Sequence, residues 1–225
     1  MQAGNATYDG PDDVIDIVPV FPLSAALLLP RGQMPLNIFE PRYVAMVDAA
    51  MAGGRLIGMI QPASGASDEE ENPALAPIGC VGRITSYAES GDNRYMICLT
   101  GIARFRVIEE IESDAPFRQC RITTTPFQSD FVENVGAETV DRPHLLEVFR
   151  AYLEANRLEA DWDNIDRTSN ETLVNALSMM SPYGAAEKQA LLEAPDLRTR
   201  AETLIALTEI ALARRGDGGP PSHLQ

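Results

Sequence analysis

Apolar and polar positions change period once along this chain, and that change sets its plan. Up to about residue 130 the apolar residues alternate in short runs, the pattern of half-buried strands. Asp16 to Phe21 (DIVPVF) reads as a first strand, with Pro19 and Pro22 suggesting an edge or bulged position. Leu27 to Leu29 is a short buried segment before the turn Pro30-Arg31-Gly32, and Met34 to Phe39 is a further extended piece. A helix follows. Pro41 suits its first position, where the missing N–H would have had no partner. Val44, Val47 and Met51 recur at helical spacing, and Gly53-Gly54 is expected to end the helix through a left-handed glycine. Arg55 to Gln61, Gly79 to Tyr87, Arg94 to Thr100, Ala103 to Glu110 and Phe117 to Thr124 read as strands. Ser90-Gly91-Asp92-Asn93 makes a hairpin turn, and Gly101 breaks the ladder. Many short strands with this punctuation predict a small, partly open barrel.

Beyond Asp130 the period becomes 3.6. Arg142 to Asn156 is helical, with Leu145, Phe149 and Tyr152 on one face. Thr168 and Glu171 form a capping-box pattern that opens Asn170 to Met180. Ala185 to Glu193 is the next helix, and Asp196 caps the last, Leu197 to Arg214, whose apolar face is Leu197, Ala201, Leu204, Ile205 and Leu212. The fold class is therefore α+β. Residues 1–15 are expected to be a flexible leader, 16–130 a β-barrel subdomain, 131–215 a helical bundle and 216–225 a disordered tail. Pro62 to Pro77, with its acidic run Asp68-Glu69-Glu70-Glu71, reads as a mobile surface loop.

Charge narrows the function. The 225 residues hold 18 Lys and Arg against 33 Asp and Glu, a formal net charge of −15. Binding to nucleic acid depends on cations that neutralise phosphates, so the balance argues against nucleic acid and against an anionic membrane. No apolar run approaches the ~20 residues of a membrane span. The start, MQAGNATYDGPDDV, lacks a secretory n-region. The three cysteines, Cys80, Cys98 and Cys120, form no CxxC, which points to reduced thiols in a cytoplasmic protein.

The chemistry of catalysis is sparse. With only His144 and His223, no metal-ligand cluster and no classical triad can be assembled. Lys188 is the single lysine, so there is no G-x-x-x-x-G-K-[ST] loop for nucleotide phosphates. A Ser–Lys dyad would have to use Lys188, which lies in AEKQALLEAP and reads as a solvated helical lysine. No catalytic residue, metal ligand or cofactor is expected.

Four segments together resemble the LON substrate-binding domain, the amino-terminal domain of Lon proteases. They are VPVFPLSAALLLPRGQMPLNIFEPRY (Val18 to Tyr43), the stretch Gly79 to Val107 with GCVGRI and GIARFRV, the helical Leu173 to Met180 followed by Ser181-Pro182, and EKQALLEAPDLRTRAETLIALTE (Glu187 to Glu209). The resemblance implies a PUA-like β-barrel with one short helix, followed by a helical bundle. It implies binding of unfolded or degron-bearing polypeptides for an ATPase and protease. Neither of those modules is recognisable in these 225 residues, so a stand-alone, non-enzymatic form is expected, an adaptor for a separate protease or a chaperone-like holder. The domain also occurs in cereblon-type adaptors, whose zinc-domain cysteine set is not found here.

Within PLNIFEPRY, Leu36, Ile38 and Phe39 are expected in the core, and Glu40 is expected to pair with Arg42 or cap the helix. The segment then marks a strand handing over to a helix. A second possibility makes it one wall of a peptide groove, with Met34, Phe39, Glu40, Arg42 and Tyr43 as the candidate peptide-binding residues. Two other functions stay open. One is an RNA-associated accessory protein, which would need Arg83, Arg94, Arg104, Arg106, Arg118 and Arg121 to converge, with Arg104 and Arg106 on one face by alternation. The other is a cryptic hydrolase using Lys188.

Overall fold

A computed structural model describes residues 1–63 and 72–216. The acidic run Asp68 to Glu71 and the tail beyond Gly216 lie outside the described residues. The chain divides into two units, Met1–Glu133 and Asn134–Gln225.

The first unit is built on a six-stranded sheet. Its strands are β3 (Ile17–Pro22), β4 (Gln33–Ile38), β5 (Leu56–Ile60), β6 (Ile78–Glu89), β7 (Tyr95–Ile111) and β8 (Gln119–Thr123). They lie in the order β4-β7-β6-β5-β3-β8, and a further β7–β8 pairing closes the ring. Closure is possible because β7 is 17 residues long. Its first half pairs with β4 and its second half with β8. Pairing is antiparallel except between β3 and β5. The barrel interior holds Val18, Val20, Val81, Ile102, Phe105 and Cys120, each at most 1% exposed.

Two expectations are corrected in this unit, the flexible leader and the left-handed Gly53. The first fifteen residues are not a flexible leader. They form a hairpin of β1 (Gln2–Ala3) and β2 (Ala6–Thr7), and Ala3, Tyr8 and Val14 are buried in the barrel cluster. Two-residue strands carry too little alternation to show a period. β3 as a whole lies between β5 and β8, but Pro19 pairs only with Gln119 of β8 and Pro22 only with Ile60 of β5, so each proline does hold an edge-like position with one side of the ladder open. Gly53 does not take the left-handed conformation (φ −114°); Arg55 does (φ 62°), with its N–H bonded to Ala50 O at 2.9 Å. The described feet of the Pro62–Pro77 loop are paired, Pro62 with Leu75, and Ala76 N–H donates to Gln61 O at 2.9 Å, while residues 64–71, on which the mobile-loop expectation falls, lie outside the described residues.

Strand β7 runs continuously through Gly101, but its ladder is interrupted there: pairing with β4 ends at Thr100, and the register with β6 shifts between Gly82–Gly101 and Val81–Ala103. The missing side chain of Gly101 is what lets the chain pass: a Cβ there would overlap the Leu29 carbonyl oxygen, a backbone atom that cannot swing aside. We expect Gly101→Ala to lose about 2 kcal/mol of stability, the scale of overpacking a tight core. Urea unfolding measures it, and a loss under ~0.5 kcal/mol would contradict the packing described.

The second unit is helical: α2 (Arg142–Asn156), α3 (Trp162–Arg167), α4 (Asn170–Met180), α5 (Ala185–Glu193) and α6 (Leu197–Gly216), the first unit having contributed α1 (Pro41–Ala52). α6 packs against α2, α4 and α5. The cap of α4 is Ser169, whose Oγ accepts from Thr172 N–H at 3.2 Å; Thr168 is one residue too early. Glu171 does not close a capping box but accepts from Asn134 N–H at 2.6 Å.

Three cations finish three successive helices. The Arg142 guanidinium donates to Thr168 O (2.9 Å) and to Ile165 O at the end of α3. Lys188 Nζ donates to Ser178 O (2.8 Å) and Met179 O (2.6 Å) in the last turn of α4. Arg200 Nε donates to Leu191 O (2.9 Å) in the last turn of α5 and its Nη1 to Asn175 Oδ1 (3.0 Å). Last-turn carbonyls have no partner within their own helix, and the dipole there favours positive charge. Lys188 is therefore buried, at 3% exposure, and not solvated as its neighbours in sequence suggest.

Candidate functional site

The strand-to-helix corner is built by backbone geometry first. Ile38 is buried at the end of β4. The next residue points the other way, so Phe39 is left 59% exposed and is not a core residue. Glu40 stays extended (φ −72°, ψ 132°) and its carbonyl takes the N–H groups of Tyr43 and Val44, both at 2.9 Å. Its side chain makes no cap bond. It pairs with Arg42 instead, Nη2 to Oε2 at 2.9 Å, with both side chains 44% exposed. An ion pair so exposed contributes ~0–1 kcal/mol.

Tyr43 joins this corner to the barrel. Its ring lies 4.2 Å from that of Phe21 on β3, and the Arg42 guanidinium sits 4.6 Å above it. Burial raises the Tyr43 pKa; Arg42 opposes the shift and Glu40 adds to it, so the phenol stays neutral at physiological pH. The outcome is an exposed phenyl ring beside a fixed stack of guanidinium, phenol and phenyl groups.

Of the five candidate residues, Glu40, Arg42 and Tyr43 are in contact and Phe39 adjoins them. Met34 is not part of the corner. It is half-buried near the other end of β4, about 17 Å away along an extended strand. Phe21 was missed by sequence reasoning, since nothing local tells which β3 residue meets Tyr43.

The other candidate chemistries dissolve in the structure. Arg104 is 2% exposed and holds Asp130 through Nε, Nη2 and its backbone N–H, all at 2.9 Å. Arg118 grips Glu110 with two 2.6 Å bonds and Pro73 O at 2.7 Å; Arg121 pairs with Glu109 at 2.8 Å. Arg83 is bonded to Gly54 O and Asn5. The arginines thus do not assemble a basic face, and Arg104 and Arg106 do not act together: one is buried, the other exposed. Lys188 directs its ammonium to the Ser178 and Met179 carbonyls and is 3% exposed. His144 is 44% exposed, near Glu147 and Glu209. Among the described residues there is no group of three or more His, Cys, Asp or Glu placed to hold a metal ion, and no helix is long and apolar enough to cross a membrane.

In the helical unit a dimple lies between Leu145, Phe149 and Tyr152 of α2, Leu177 and Leu204, closed by a 2.8 Å bond between the Tyr183 and Thr208 hydroxyls. Its volume of about 10 Å³ admits one water. Small-molecule pockets run to ~300–1,000 Å³.

Comparison with known proteins fits this architecture. The model of the ATP-dependent protease La (LON) substrate-binding domain matches residues 17–209. The chain is similar to Lon protease 2 of Myxococcus xanthus (26% identical over 202 residues, 87% of this chain and 24% of that protein). It is similar also to Lon protease 2 of Sorangium cellulosum (29% over 205 residues, 88% and 25%). It thus spans about a quarter of the length of these curated relatives. In fold it is similar to a Lon N-terminal domain protein from Xanthomonas campestris (TM-score 0.59, 22% identity, covering 85% of this chain and 98% of that one). It is similar also to the N-terminal domain of Mycobacterium avium complex Lon protease (TM-score 0.64, 18% identity, 86% and 98%). With a model match that runs through both units of an α+β fold, this chain belongs to the LON substrate-binding domain family.

Proposed function

We propose that this protein is a non-enzymatic polypeptide-recognition module that holds unfolded or degron-bearing chains and hands them to a separate protease, as an adaptor or a chaperone-like holder. The observation that carries it is Phe39, a large aromatic 59% exposed beside the stacked Arg42, Tyr43 and Phe21 side chains. Exposed aromatics on fixed backbone are the usual anchors of protein interfaces, because little side-chain entropy is lost on contact. Membership of a substrate-binding family supports the same direction. Cys80, Cys98 and Cys120 form no disulfide, which supports a cytoplasmic setting.

The test is binding of reduced, unfolded casein followed by fluorescence anisotropy. Phe39→Ser is expected to weaken it at least fivefold. The unfolding midpoint should hardly change, since an exposed surface substitution usually stays within ~0.5 kcal/mol. Casein that fails to bind the wild-type chain, or binds the variant equally well, would remove this site from the function.

A further inference from the structure

β4 is the end strand of its sheet. It pairs with β7 alone, in a register that runs from Gln33 opposite Thr100 to Ile38 opposite Tyr95 with no bulge. Every other strand of that sheet is flanked on both sides. Among the described residues nothing pairs with the outer edge of β4.

Natural proteins blunt such edges with charges, bulges, prolines or covering loops, because unpaired main-chain groups accept any extended chain. β4, QMPLNI, carries no charge. Pro35 is its single blunting device; alternate N–H groups of an antiparallel edge strand face outward, three of the six positions here, and C=O groups lie between them. Exposure along the strand alternates: Gln33, Pro35 and Asn37 are exposed, Met34 and Leu36 half-buried, Ile38 buried. A strand laid alongside would continue that alternation. Its apolar side chains would extend the Met34–Leu36 face, and its end would reach the exposed Phe39 ring.

We propose that the outer edge of β4 is a strand-addition site, taking an extended polypeptide of about six residues with alternating apolar side chains and flanking cations. The main-chain edge selects backbone, which any unfolded client has. The net charge of −15 selects Lys or Arg at the flanks. This rests on the polypeptide-recognition role proposed above and gives it a mode of contact. It also makes Met34 and Phe39, which share no pocket, two ends of one track.

The probe is a fluorescein-labelled peptide of three Val–Thr repeats flanked by lysines, titrated with the full chain. Two further versions carry backbone N-methyl groups on one or the other alternate set of residues. An added antiparallel strand uses the N–H groups of alternate residues toward its neighbour. One N-methylated version should therefore bind at least tenfold more weakly and the other within twofold of the parent. Hydrogen exchange should show new protection of outward amides in Gln33–Ile38. Binding that ignores both N-methyl patterns, or suffers equally from both, overturns strand addition and leaves polypeptide recognition standing. Failure of both the peptide and casein to bind overturns the two together. Protection of β4 that grows with protein concentration without peptide assigns the edge to a second copy of this chain, and overturns the proposal.

Discussion

Asp130→Ala is expected to lose about 3–5 kcal/mol of folding stability, the cost of leaving a buried charge without its partner. Asp130 is 7% exposed and accepts three bonds from Arg104, one from the backbone N–H and two from the guanidinium. The guanidinium also lies 4.7 Å over the Phe127 ring, so removing the carboxylate strands a cation that packing holds in place. The Asp130 main chain is tied down separately, its carbonyl accepting from Arg31 Nη1 at 2.8 Å. The loss should therefore come from the side chain and not from release of the segment. Urea unfolding of Asp130→Ala, Arg104→Met and the double variant forms a cycle. The double variant should lose less than the two single losses added together, because it removes both charges. Additive losses, or a single loss below ~1 kcal/mol, would mean that the pair is not the buried unit described.

The second large effect depends on pH. Burial pushes the Lys188 ammonium down to about 8. A lysine in an unfolded chain titrates near 10.4. Between these values the unfolded chain binds more protons than the folded one, so this group makes stability rise with pH and reach its full value above ~10.4. At pH 7 Lys188→Met has two opposed consequences. It abandons the carbonyls of Ser178 and Met179, at ~1–3 kcal/mol each, but it relieves the burial of a charge. The two terms largely offset there. At pH 10.5 the relief is gone and the abandoned carbonyls remain. We expect the wild type to gain about 3 kcal/mol over Lys188→Met between pH 7 and 10.5, at ~1.4 kcal/mol for each pH unit of depression. The raised pKa values of Tyr43, Tyr183 and Cys120 are common to both proteins and cancel in the difference. A difference that stays flat across this range would show that Lys188 titrates like an exposed lysine.

What the sequence reveals follows the range of the forces involved. Helices Arg142–Asn156, Asn170–Met180 and Ala185–Glu193 are legible because their period, caps and breakers all lie within a few residues. α3 is not legible: six residues with a tryptophan and two aspartates offer no stripe. The corner at Glu40-Pro41 is legible as a strand end and a helix start. The exposure of Phe39 is not, since an apolar residue beside buried Ile38 gives no local sign of which side of the turn it takes. Lys188 illustrates the limit best. Its burial depends on carbonyls nine and ten residues earlier that belong to a different helix, and charge on a helix surface looks the same in sequence whether water or a carbonyl receives it.

The cations that finish α4 and α5 each come from the helix that follows: α5 supplies Lys188 and α6 supplies Arg200. As the chain leaves the ribosome, α4 emerges before the residue that completes it, and so does α5. Neither can reach its final state until the next helix is out and docked. α6 thus secures α5 as α5 secures α4, and α5 stays provisional until synthesis has passed Arg200.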